Sequence, residues 1–405
     1  METTPKSPKQ AVLQEYFKLP PTRVYKEKNP TCSRRKPSYR NLHSYGLETR
    51  IDQENVEIPL VWSNDKMTIT TPNEINNIDV NKTYSQDWVA YNQAQTQEKM
   101  LFLELLKELT DLIPTQKYKG TGRPPSSLGE MVYSICIKLY LGFSSRRTES
   151  DIRIVEQLGY ISHVPHFNTI LKYLNKPELN EIFKALIDLS ASPLRHVEQR
   201  FAVDSSGFCT SIFSRYSSIR YKKEERRYYK KAHITCGVLT NVITSVEVTD
   251  GYMHDSLMFR SLVDHTAQYF DMKEVYADKA YSSRKNLGIV HDHKAIPFIP
   301  FKSNTRRLTK GVPIWSTMYN YFKYNKEQFM EHYHQRSNVE TVFSMIKRKQ
   351  SLYLHTKKDI SQTNEILAKC LVHNICVLIQ EMFELGIKVD YNECDIDEFM
   401  CKIKI

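Results

Sequence analysis

The stretch RFAVDSSGF, residues 200–208, sets the reading of this chain. Its apolar run Phe201-Ala202-Val203 has the length and residue types of a buried strand and leads directly into a carboxylate, Asp204. Two more strand-like runs follow, AHITCGVLT (232–240) and VITSVEVTDG (242–251), joined through the turn residues Thr240 and Asn241. Beyond them the pattern alternates: a helix over 255–270, the short strand EVYAD (274–278), a helix near 283–292 and the strand AIPFIPF (295–301). Strands that first meander and then alternate with helices predict an α/β fold, a mixed sheet flanked by helices. A last apolar helix over 362–386, interrupted by Lys369, His373 and Asn374, reads as a packing helix rather than a membrane span.

Upstream of the strands the period is helical. Leu101, Leu105, Leu106, Leu109, Leu112 and Ile113 recur at three and four before Pro114, and a second apolar helix covers 127–142 after the basic linker GRPPSS. The segment 144–176 then offers a helix, a Gly-containing turn and another helix with Asn168, Thr169 and Lys172 on its outside. This is compatible with helix-turn-helix DNA binding and equally with a plain packing hairpin. The expected organisation is a basic, poorly structured region 1–96, an all-helical domain 97–195, a sheet domain 196–350 and a C-terminal helical segment 351–405. Residues 1–40 hold ten Lys or Arg, three acidic residues and six prolines, too little apolar material for a core.

Composition narrows the function classes. With 405 residues, 40% of them hydrophobic, the chain is a globular protein of more than one domain, not a disordered one. A formal charge of +11 points to a polyanion, with nucleic acid first. The eight cysteines include no C-x-x-C pair and read as reduced thiols of an intracellular protein. No signal-peptide region and no long apolar run stand out, so a cytoplasmic protein that does not engage a membrane is expected.

Chemistry enters with a third acidic position. In EHYHQRSNVETVFSMIKRK, 331–349, a helical turn of about 100° per residue places Tyr333, Arg336, Glu340 and Lys347 within an arc of about 60°. Val339, Val342, Phe343 and Ile346 gather on another side, the expected core face. A polar stripe of one phenol, two cations and one carboxylate then faces either a site or solvent. The strand EVYAD repeats the pattern of the first strand, an apolar run leading into Asp278. Asp204, Asp278 and Glu340 together supply the oxygen ligands that Mg²⁺ prefers, and a metal pair suits in-line phosphodiester cleavage. Arg336 and Lys347 would grip the flanking phosphates.

These residues resemble a known family. Tyr333, Arg336, Glu340 and Lys347, separated by two, three and six residues, are similar to the Tyr-Arg-Glu-Lys signature of the DDE transposases encoded by many prokaryotic insertion sequences. VDSSGF (203–208), GYMHDSLMF (251–259), ADKAYSS (277–283) and LVHNI (371–375) extend the resemblance over about residues 200–376. It implies a ribonuclease-H-like fold, with Asp204, Asp278 and Glu340 as catalytic metal ligands for Mg²⁺, for which Mn²⁺ substitutes. It implies contacts from Tyr333, Arg336 and Lys347 to the transposon-end DNA, and a homodimer acting on paired ends and target duplex. The implied location is the cytoplasm, on the nucleoid. Ala280 and Ser282 depart from the family's pattern, which has Gly and often an acidic residue there. Two rivals stay open: a nuclease or recombinase of the same fold without strand transfer, and a DNA-binding protein derived from a transposase.

Basic clusters add candidate DNA contacts. RYSSIRYKKEERRYYKK, 215–231, interleaves eight Lys or Arg with four Tyr and includes Lys222, Lys223, Arg226, Arg227, Lys230 and Lys231. Lys302, Arg306, Arg307 and Lys310 form a second patch, in a basic loop that also holds Trp315. His254 and Asp255 are a candidate extra metal pair, although Asp255 reads more simply as the N-cap of the following helix. His332 and His334 read as neighbours of the stripe, and Cys209 and Cys236 as strand residues of the core.

Overall fold

The structure is a computed structural model and describes residues 61–63, 66–68, 87–114, 120–122, 125–210, 229–305, 312–389 and 391, all within one compact unit, Glu57–Ile405. The N-terminal arm, Lys222, Lys223, Arg226, Arg227, Arg306, Arg307 and Lys310 lie outside the described residues. Strand β1 (Val61–Ser63) pairs antiparallel with β2 (Lys66–Thr68).

Five strands form the main sheet among the described residues: β3 (Arg200–Cys209), β4 (Tyr229–Gly237), β5 (Ile243–Asp250), β6 (Glu274–Ala277) and β7 (Ile296–Phe298). Their order is β5-β4-β3-β6-β7, with β5, β4 and β3 antiparallel and β6 and β7 added parallel to β3. The parallel additions need crossovers, which helices Asp255–Tyr269 and Arg284–Asp292 supply. Phe201, Ala202, Val203, Val275, Tyr276 and Ala277 are fully buried, as continuous apolar runs in the middle of a covered sheet must be. The mixed sheet with flanking helices is the architecture that the alternation of periods predicts.

The β3–β6 ladder ends at the pair Val203↔Ala277, so the next residues on the two parallel strands are Asp204 and Asp278. Asp204 does not end its strand, as the sequence suggested. β3 runs on to Cys209, because β4 continues to pair with it through Cys209↔Tyr229 after β6 has stopped. The half-exposed residues Ser205, Ser206 and Gly207 lack strand-like composition, and the extension rests on that partner.

Helix α1 (Trp88–Asp111) starts earlier than its leucine repeat, at a cap where the Asp87 carboxylate accepts from the N–H groups of Val89 and Ala90. Helices α2 (Leu128–Leu141), α3 (Ser145–Gln157), α4 (Phe167–Tyr173) and α5 (Leu179–Ala191) follow. Asn168 and Lys172 are exposed on α4 as expected. The α3–α4 connection, 158–166, is longer than the three- or four-residue turn of a helix-turn-helix. After α6 (Asp255–Tyr269) and α7 (Arg284–Asp292) comes α8 (Pro313–Tyr324), where a loop was expected. Pro313 occupies the first helical turn, a position that suits its missing N–H, and Ile314, Trp315, Met318 and Tyr321 form its buried face.

Helices α9 (Lys326–Tyr333) and α10 (Ser337–Gln350) are joined by a 3-10 turn, His334–Arg336, and α11 (Asp359–Glu384) closes the fold. α11 is long and apolar enough to cross a membrane, yet 78% of its apolar window is buried inside the protein against α1, α2, α5 and β5. Its interior polar residues all have partners. Glu365 accepts from the N–H groups of His355 and Thr356, and Lys369 donates to the carbonyls of Ser351 and Tyr353, ordering the chain that leaves α10. Asn374 clasps Ile243 through both N–H and C=O and reaches Ser190, while His373 bonds the carbonyl of Asn241 in the β4–β5 turn. The LVHNI motif thus ties α11 to the sheet.

Glu198 gives a test of the core. It is buried beneath Gly237, where a Cβ would lie 2.4 Å from the carboxyl carbon, and it accepts from the Thr240 hydroxyl at 2.8 Å. Burial pushes its carboxyl up to about 7, against the downward pull of its Thr240 hydrogen bonds. A raised acid holds its proton longer in the native state, so stability falls as pH rises from about 4.5 to about 7 and then levels. At about 1.4 kcal/mol per pH unit the whole window spans about 3 kcal/mol. Urea unfolding across that range should show the decline in the wild type and a shallower one in Glu198→Gln.

Candidate active site

The 3-10 turn between α9 and α10 shapes the site. Three residues per turn eclipse positions i and i+3, which brings Tyr333 and Arg336 onto one line before α10 carries it on to Glu340 and Lys347. Val339, Val342, Phe343 and Ile346 are buried on the other side, as their spacing requires. The polar stripe faces the second half of β3, at Asp204 and Ser206, and the residue that follows β6, Asp278.

Arg336 joins two of the three carboxylates. Its Nη1 donates to Asp204 Oδ2 at 2.8 Å and its Nη2 to Glu340 Oε1. The third carboxylate, Asp278, caps the turn Lys279–Tyr281 by accepting from the Lys279 N–H at 2.7 Å, and the Tyr333 hydroxyl lies 3.5 Å from the same Oδ1. No residue of that turn needs a positive φ, so Ala280 fits where the resembled family has Gly. Three acids distant in sequence are thus gathered by two neighbouring strands and one helix.

The electrostatics follow from this crowding. Burial raises the Asp204 pKa, the Ser205 N–H and the Arg336 guanidinium lower it, and the Asp278 and Glu340 carboxylates raise it further, leaving it above the ordinary value. Burial opposes the Arg336 charge, but Tyr333, Glu340 and Asp204 reverse the balance and raise its pKa. Lys347 donates to the Ser206 hydroxyl and lies 5.3 Å from the Phe208 ring centre and 5.6 Å from that of Phe343. Burial there lowers its pKa. Asp204, Ser206 and Phe208 alternate along β3 onto the face that α10 covers.

Residues 195–375 match the family model of the transposase DDE domain. No curated protein and no solved structure matches the chain. The matched DDE domain spans all five strands of the main sheet and every residue of the polar stripe, and the mixed sheet with its flanking helices agrees with the ribonuclease-H-like fold of such transposases. Among the described residues no group of three or more His, Cys, Asp or Glu stands close enough together to hold a metal ion as the side chains lie. The donor set nevertheless suits a hard cation: two carboxylates already close on one cation, and the third stands at the next position of the adjoining strand.

Other candidates of the DDE segment have different surroundings. Lys230 is buried and pairs with Asp250 at 2.7 Å and with Asp359, and Lys231 pairs with Asp255. Their charges are balanced within the fold, and Lys302 is exposed. Asp255 is the first residue of α6 rather than its N-cap, which is His254. Its carboxylate also lies 3.5 Å from His233 Nδ1. His332 is buried, stacked on Phe298 at 4.3 Å and bonded to Glu274 at 3.1 Å. Sequence reasoning missed Ser206 and Tyr281. Both lie in quoted motifs, but the contact of Ser206 with Lys347 and the burial of Tyr281 behind Asp204 are tertiary facts.

Proposed function

We propose that the protein is a DNA transposase that cleaves phosphodiesters at the ends of its element and transfers the freed 3′ hydroxyl to target DNA. The observation that carries this reading is the meeting of Asp204, Asp278 and Glu340 around Arg336 and Tyr333, inside a segment that matches the transposase DDE domain. The three carboxylates would hold divalent metal, Mg²⁺ or in its place Mn²⁺. When bound, the metal supplies Lewis acidity to the attacking and leaving oxygens of an in-line displacement.

Arg336, Tyr333 and Lys347 bind the phosphates on either side of the scissile bond. Ser206 and the rings of Phe208 and Phe343 hold the Lys347 ammonium in place for this. Lys222, Lys223, Arg226 and Arg227 add backbone contacts, and two copies of the chain act on paired ends in the nucleoid. Lys230 and Lys231 are engaged instead in ion pairs with Asp250, Asp359 and Asp255 at the start of β4.

Two substitutions on α10 separate the roles. Glu340→Gln keeps size and helix propensity but weakens a ligand, so nicking of a labelled end duplex in Mg²⁺ should collapse while affinity stays near wild type. Lys347→Ala should weaken binding and reduce the slope of log K against log salt by about one unit. Normal cleavage by Glu340→Gln would refute the assignment.

A further inference from the structure

We infer that Arg336 is a latch that keeps the carboxylate site closed and makes divalent metal and DNA load together. The inference rests on the metal-site reading above and adds to it a regulatory role for one residue. Arg336 and Tyr333 between them engage every member of the triad: the guanidinium takes Asp204 and Glu340, and the phenol faces Asp278. The Arg336 side chain is only 18% exposed, and its guanidinium carbon lies 5.9 Å from the centre of the Tyr333 ring. This is a largely buried cation held between one largely buried carboxylate, Asp204, and one exposed carboxylate, Glu340, and it occupies lone pairs that a dication would need.

Two cations cannot share those oxygens without strong repulsion at this separation. Metal binding therefore requires the guanidinium to let go of at least one carboxylate. Released alone, it becomes a partly buried charge without a partner, beside a new double charge, which is costly. A DNA phosphate at the site removes that cost, because guanidinium binds phosphate with the same forked geometry that it uses for carboxylate. DNA thus draws Arg336 off the acids, and the vacated oxygens accept metal. Coupling of this kind is reciprocal: DNA tightens metal binding by the same factor by which metal tightens DNA binding.

The test follows free Mn²⁺ by electron paramagnetic resonance during titration of the full-length protein, and needs no cleavage. Wild-type protein should bind Mn²⁺ about ten-fold more tightly when saturated with a mixed-sequence DNA duplex, within the range usual for coupled sites. Equal affinity with and without DNA overturns the latch. In the absence of DNA, Arg336→Gln should bind Mn²⁺ more tightly than wild type, and DNA should add little further. Equal or weaker binding by the folded variant overturns the latch as well. The wild-type comparison stands even where the variant does not fold. If neither protein binds Mn²⁺, with or without DNA, the metal-site reading falls and the latch falls with it. Mn²⁺ bound but indifferent to DNA and to Arg336 rejects the latch alone.

Discussion

Asp204→Asn should lower metal-dependent DNA cleavage by roughly 10³-fold or more, the scale of losing one member of a catalytic unit. The substitution is nearly isosteric, and the side-chain carbonyl still accepts from the Ser205 N–H, as Asp204 Oδ1 does at 2.8 Å. What it removes is a charge that faces Arg336 at 2.8 Å and stands beside the strand position of Asp278. Stability should not fall with activity. Burial and two neighbouring carboxylates raise the Asp204 pKa, so ionisation costs native stability as pH rises from the ordinary carboxylate value to the raised one, after which the cost is constant, and the neutral amide removes it. Quantifying nicked product alongside a thermal melt checks both statements. A folded variant that cleaves within ten-fold of wild type would remove Asp204 from the site.

Chelation should have an equally large effect. In EDTA, cleavage falls to background, and Mg²⁺ or Mn²⁺ restores it. Ca²⁺ should support DNA binding with cleavage lower by roughly 10²-fold or more, because it accepts six to eight oxygens in loose geometry where Mg²⁺ demands a near-octahedral shell. On the proposed reading the three carboxylates set this preference, since none of the polar-stripe residues or the two aspartates offers sulfur or imidazole. Gel quantification of nicked product against metal type is the check, and full cleavage in EDTA is the result that contradicts it.

Much of this was legible in the sequence because the decisive signals are local. Continuous apolar runs before Asp204 and Asp278 mark central strands, and the periodicity of 331–349 marks helix with a buried and a polar face, although the 3-10 turn His334–Arg336 that breaks it into two helices left no local signal. What stayed hidden depends on partners. β3 continues past Asp204 only because β4 is there to pair with it, and α8 hides behind a proline that reads as a loop but starts a helix. The basic run near β4 looks uniform in sequence, yet Asp250, Asp359 and Asp255, distant along the chain, pair with Lys230 and Lys231. For the same reason the sequence assigned Arg336 to phosphate alone: its grip on Asp204, 132 residues away, is invisible to any local pattern.

The central claim is transposition, and joining tests it most directly. Purified protein, a duplex carrying the DNA that flanks the gene, and a supercoiled target plasmid are incubated in Mg²⁺, and the junctions are sequenced. The account predicts 3′ ends of the element joined to target strands at staggered positions, with joining absent in Asp204→Asn and Glu340→Gln. Nicked DNA without any junction would reduce the protein to a nuclease, and intact DNA in both Mg²⁺ and Mn²⁺ would contradict the account.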